Sequence, residues 1–108
     1  MSSTWVLPTK TQIIQANHQI VTETGEPHGF LYESGLDSMI QSLHYLDDPG
    51  QIASAILFKL IKNHIFLNGN KRTAALVTAN FLSMNGLTFV EGFDFKRIII
   101  ETASKRGN

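Results

Sequence analysis

The chain has no cysteine among its 108 residues, which excludes a disulfide framework and any cysteine-based metal site. That absence fits a reducing compartment. Charge is scarce as well: Asp, Glu, Lys and Arg make up 17% of the residues and balance to a formal net charge of +0. A grip on a phosphate backbone calls for a basic face, so nucleic acid is not an expected partner. No apolar run reaches the roughly 18 residues of a membrane span, and the longest is interrupted by Lys59 and Lys62. The first residues, Met1 to Trp5, lack the basic and apolar regions of a secretory signal. The expectation is a soluble cytoplasmic protein without a membrane partner. A chain of this length makes one domain, residues 1–108, and buries roughly two-thirds of its unfolded surface.

What is present is helical periodicity. Thr9 to Thr24 reads as a first helix, with Thr9 and Gln12 spaced as a capping box, Ile13, Ile14, Ile20 and Val21 on one face, and Gly25 as its stop. Gly25 to Tyr32 holds two glycines and a proline and reads as an irregular excursion with room for a short hairpin. Ser34 is placed to cap a second helix, with Leu36, Met39, Ile40 and Leu43 on its apolar face and an end near Leu46. Asp48-Pro49 is a strong helix start, and the third helix, Pro49 to Asn63, is apolar enough to be the central one. A fourth runs from Asn70 to Met84, with Ala74, Val77, Phe81 and Leu82 inward and Asn85-Gly86 as its stop. Leu87 to Val90 reads as an extended connector, and Asp94 caps a fifth helix reaching about Ser104. The fold class is all-α, a small bundle of about five helices with short connections.

Between the third and fourth helices lies the most informative stretch, His64-Ile-Phe-Leu-Asn-Gly-Asn-Lys-Arg72. Lys71 and Arg72 fall where a helix begins. A helix N-terminus carries about half a positive charge, so cations there cost a few tenths of a kcal/mol each. A sequence built only for stability would place Asp or Glu in that turn. Free backbone N–H groups, Gly69 and two cations at one point make an anion site, most naturally for phosphate. His64, a few residues upstream, adds a proton acceptor that is largely neutral near pH 7 when unperturbed. Asn70 fits an N-cap and a phosphate-positioning residue equally well. His18, His28 and His44 form no metal-ligand spacing on one helix face.

This stretch resembles the signature of the Fic/Doc family, H-x-F-x-[D/E]-G-N-G-R-x-x-R, through His64, Phe66, Gly69, Asn70 and Arg72. Lys71 stands where the adenylyltransferase members carry a second glycine, and Ala75 where they carry a second arginine. Both departures follow the N-K-R form of the Doc (death-on-curing) toxins, and the resemblance extends over roughly residues 5 to 103. It implies a Fic/Doc-type helical bundle with a short flap between its first two helices. It also implies transfer of a phosphoryl group from ATP to a Ser or Thr hydroxyl of another protein, of the translation elongation factor class. His64 would then be the general base. Gly69, Asn70, Lys71 and Arg72 would bind the nucleotide, with Arg72 clamping phosphate oxygens bidentately and Lys71 adding a point charge. Phe66 would anchor the loop in the core.

Asn68 stands where family members commonly carry a carboxylate that ligates Mg²⁺, and an amide oxygen is a weaker ligand for a hard cation. Pro27, His28, Gly29 and Phe30 fall in the flap, which in the family holds the target segment by strand addition. The family's inhibitory pattern, [S/T]-x-x-x-E-[G/N], is matched in spacing by Thr22 and Glu26, but Pro27 stands at its last position. Inhibition is therefore expected from a separate antitoxin protein. Two alternatives stay open on the sequence: AMP transfer, as in most Fic proteins, and a binding module of the same fold that transfers nothing.

Overall fold

Helix α1, Lys10–Thr24, begins in the expected capping box: the Gln12 amide donates to Thr9 Oγ1 at 3.1 Å and the Thr9 amide to Gln12 Oε1 at 3.0 Å. It ends at Gly25, whose φ of 73° is the left-handed conformation that glycine adopts without a Cβ penalty. Its inner face is Ile13, Ala16, Asn17, Ile20 and Val21. The computed structural model describes residues 4–88 of the chain.

Helix α2, Glu33–Leu43, buries Leu36, Met39 and Leu43. It starts one residue before Ser34, which gives no capping bond. Its start is set by tertiary pairing instead, because the Leu31 and Tyr32 amides both donate to the carbonyl of Ile65. It stops at Leu43 rather than near Leu46 because the next turns tighten, with the amides of His44, Tyr45 and Leu46 each bonding three residues back. Helix α3, Pro49–Lys62, has the expected cap, the Gln51 amide donating to Asp48 Oδ2 at 2.9 Å. It buries Ile52, Ile56, Leu57, Leu60 and Ile61. Its apolar character is not all core: Phe58 is on the surface, with the Lys62 ammonium 4.7 Å from its ring centroid. Helix α4, Asn70–Met84, buries Ala74, Val77, Phe81 and Leu82 together with Thr73 and Thr78.

The four helices touch in a closed order. α1 lies on α4, α4 on α3, α3 on α2, and α2 returns to α1. Lys10 on α1 pairs with Glu33 and Asp37 on α2 at 3.0 and 2.9 Å, across the last of these contacts. Trp5 packs against the core and donates from Nε1 to the Asp47 carbonyl at 2.7 Å. Asn85 fastens the same N-terminal segment, accepting from the Val6 amide at 2.8 Å and donating to the Val6 carbonyl at 2.9 Å. The architecture is all-α. Four helices are described rather than five; the expected fifth, from Asp94, and Phe89 and Val90 of the connector lie outside the described residues.

The excursion does not fold on itself as a hairpin. Its one β-bridge is antiparallel, between Phe30 and Phe66, so its partner is the segment between α3 and α4. Pro27 lacks the amide that pairing needs, which leaves the excursion short of donors for a ladder of its own.

Candidate active site

Two helix ends and the excursion converge on residues 64–72. α3 closes at Asn63, and His64 follows with a φ of 46°. Helices often end with one left-handed residue, usually glycine. A histidine there is uncommon and carries strain, a pattern found at functional sites. The side chain is exposed. Ile65 and Phe66 then turn inward and are fully buried, and the Phe66 ring stacks on Phe30 with centroids 5.1 Å apart. These two anchors hold His64 at the surface on one side and Leu67 on the other.

Gly69 opens α4 with a φ of 77°. A Cβ at this position would lie 3.1 Å from Val21 Cγ1 and 3.3 Å from Ile20 Cγ2, so a side chain here would press on α1 as well as strain the left-handed backbone. Asn70 is the first residue of α4 rather than its cap. Its amide bridges back across the loop, accepting from the Phe66 amide at 2.9 Å and donating to the Phe66 carbonyl at 2.8 Å. No side chain caps α4, and its first turn contains no acidic residue. The Asn70, Lys71 and Arg72 amides therefore have no acceptor among the described residues, beside a left-handed glycine and two exposed cations. That is the arrangement of an anion site.

The two cations differ. Lys71 has no ion pair among the described residues. Arg72 Nη2 donates to Glu26 Oε1, which also accepts from the Thr24 hydroxyl. Arg72 foremost, and then Thr24, hold the Glu26 carboxyl below the usual carboxylate range. Glu26 is thus part of the site, although the sequence reading set it aside. The signal was there in its four-residue spacing from Thr22 and its place inside the excursion, next to Gly25.

Asn17 also escaped the sequence reading. It is fully buried, donating from Nδ2 to the Asn68 carbonyl at 2.8 Å and to Thr73 Oγ1 at 3.0 Å. It ties α1 to both ends of the turn into α4. The signal is an asparagine four residues after Ile13 and three before Ile20, inside an apolar stripe.

The excursion lies against the loop. The Leu67 amide donates to the Gly29 carbonyl at 2.9 Å, and Asn68 Nδ2 donates to the Pro27 carbonyl at 3.0 Å. His28 packs on His18 of α1 with ring centroids 4.8 Å apart. Lys59 does not extend into the site; its ammonium donates to Ser42 Oγ at 3.3 Å. As a magnesium site the residues fit poorly. No group of three or more histidine or acidic side chains gathers among the described residues. Asn68 offers one neutral oxygen, and the nearby Glu26 is engaged by Arg72.

The model of the Fic/DOC family matches residues 8–82, which covers α1, the excursion, α2, α3, the loop and most of α4. A protein described as Toxin Doc, from Mycolicibacterium smegmatis (strain ATCC 700084 / mc(2)155), is 42% identical over 45 residues. That stretch is 42% of this chain and 35% of the relative, so the chain spans about a third of the curated protein it matches.

Proposed function

The chain belongs to the Fic/DOC family, and from that premise we propose that it is a Doc-like toxin transferring the γ-phosphoryl group of ATP to a protein hydroxyl. The supporting observation is the pairing of an exposed, left-handed His64 with the uncapped N-terminus of α4 and its Lys71 and Arg72. In this reading the substrate hydroxyl gives its proton to the His64 imidazole as its oxygen attacks the γ-phosphorus. The bond from that phosphorus to the β,γ-bridging oxygen breaks, and ADP leaves with the electron pair. The amides of residues 70–72, with Lys71 and Arg72, hold the phosphates and balance the charge on the transferring group. Asn70 contributes by fixing the loop across Phe66. A divalent cation would be held chiefly by the nucleotide, since the chain adds little.

The side chain of Lys71 and the absence of an arginine at position 75 support γ- over α-phosphate presentation, by resemblance to the Doc form. The excursion would hold the target segment. In the Phe30–Phe66 bridge the neighbours of Phe30 bond the loop, which turns the Phe30 amide and carbonyl outward as a free edge for an added strand. The target class we propose is a translation elongation factor, met in the cytoplasm, with an antitoxin protein as the natural partner. The engagement of Arg72 by Glu26 and of Asn68 by Pro27 favours one rival, a binding module that transfers nothing. Expression alone in bacterial cells separates the two: the toxin reading expects growth arrest that His64→Ala and Arg72→Ala each abolish. Arrest that persists in His64→Ala supports the module.

A further inference from the structure

We propose that Asn68 is a positioning residue, its side-chain amide serving as the last rung between the excursion and the loop in place of a metal-binding carboxylate. From Pro27 to Leu31 the groups facing the loop alternate with strand period, namely the Pro27 carbonyl, the Gly29 carbonyl and the Leu31 amide, and the Tyr32 amide then shares the Ile65 carbonyl where α2 begins. The loop answers with the Ile65 carbonyl for Leu31 and the Leu67 amide for Gly29. The next donor on the loop would have to come from main chain beyond Asn68. Gly69 prevents this, because its left-handed turn sends the chain into α4. The Asn68 amide fills the gap at 3.0 Å from the Pro27 carbonyl.

The residue is held for this role from its other side. Its own carbonyl accepts from the buried Nδ2 of Asn17, which fixes the peptide from which the side chain reaches out. Pro27 has no N–H, so its carbonyl is its one main-chain contact point. An aspartate at position 68 would set a carboxylate, which only accepts, against a carbonyl oxygen, which only accepts. The two tasks exclude one another at this position. A carboxylate that could ligate a cation cannot close this rung, and the amide that closes it is a weak cation ligand. The rung itself is independent of the transferase reading; its consequence for substrate rests on that reading.

The test is amide hydrogen exchange on the full chain at pH 7, read at Leu31, Tyr32 and Leu67, with Ile56 in α3 as an internal control. Asn68→Ala and Asn68→Asp are expected to speed exchange at the three amides by about fivefold, the loss of one hydrogen bond of ordinary strength. Ile56 should not change, and Asn68→Gln, which keeps the donor, should restore most of the protection. If transfer activity is present, Asn68→Ala should raise KM for the protein substrate while KM for ATP stays level; a metal or nucleotide role would move KM for ATP instead. Unchanged exchange in both Asn68→Ala and Asn68→Asp overturns the rung whatever the activity. Faster exchange in a protein that transfers nothing keeps the rung and counts against the transferase reading alone.

Discussion

His64 occupies a backbone position that glycine fills more comfortably, and this can be measured. Replacing it by glycine removes the left-handed penalty but adds chain entropy to the unfolded state. His64→Gly should therefore raise stability by roughly 0.5–1 kcal/mol in urea unfolding while abolishing activity. His64→Ala should abolish activity without that gain. Gly69 should behave in the opposite way. Gly69→Ala combines a left-handed Cβ with the 3.1 Å approach to Val21 and should cost about 1–3 kcal/mol by the same measurement. Asn17→Leu should cost about 1–3 kcal/mol, because it leaves the Asn68 carbonyl and Thr73 hydroxyl without their buried donor. The sequence singles out His64, Gly69, Asn70, Lys71 and Arg72 because residue types that oppose helix stability cluster there, and the structure brings them together between α3 and α4. Asn17 was not legible, and Glu26 was noted only for its spacing from Thr22, because their contacts are with residues 51 and 46 positions away.

At the scale of elements, the excursion and the loop form one unit tied by the Phe30–Phe66 bridge, the Asn68 amide and the Glu26–Arg72 pair. The pair has a defined pH dependence. Glu26 has a lowered folded pKa, so its contribution is complete above the ordinary carboxylate value and is lost as pH falls through the lowered one. The pair should therefore persist through neutral pH and open only in acid, observable as Glu26 carboxyl chemical shifts titrating below those of a model peptide. In the proposed nucleotide site, Glu26 and a phosphate would compete for the same guanidinium. Glu26→Gln should accordingly tighten ATP binding, seen as a lower Kd by calorimetry. Helix boundaries at α1, α3 and α4 were legible because their caps are local: Thr9 with Gln12, Asp48 with Pro49, and Asn85-Gly86. The start of α2 was not, because the Ile65 carbonyl fixes it from a distant part of the chain.

Across the whole molecule, the ring of helix contacts lets a short chain support the loop from several sides. α3 ends and α4 begins at the site, and these two helices pack along one another. α1 closes the loop from behind through Asn17, Ile20 and Val21, so the segment carrying His64 and Arg72 rests on three helices. The net charge of +0 leaves no overall excess of positive charge, and among the described residues Lys71 and Arg72 stand side by side at the start of α4. A phosphate-bearing small molecule is the natural guest of such a surface, whereas a nucleic acid needs a longer basic track. The most direct measurement is label transfer to protein in a bacterial lysate from γ-³²P-ATP and, in parallel, α-³²P-ATP, with His64→Ala beside the parent. Label on protein from the γ position alone, absent with His64→Ala, is the expected result. Label from the α position, or γ label that survives His64→Ala, would contradict it.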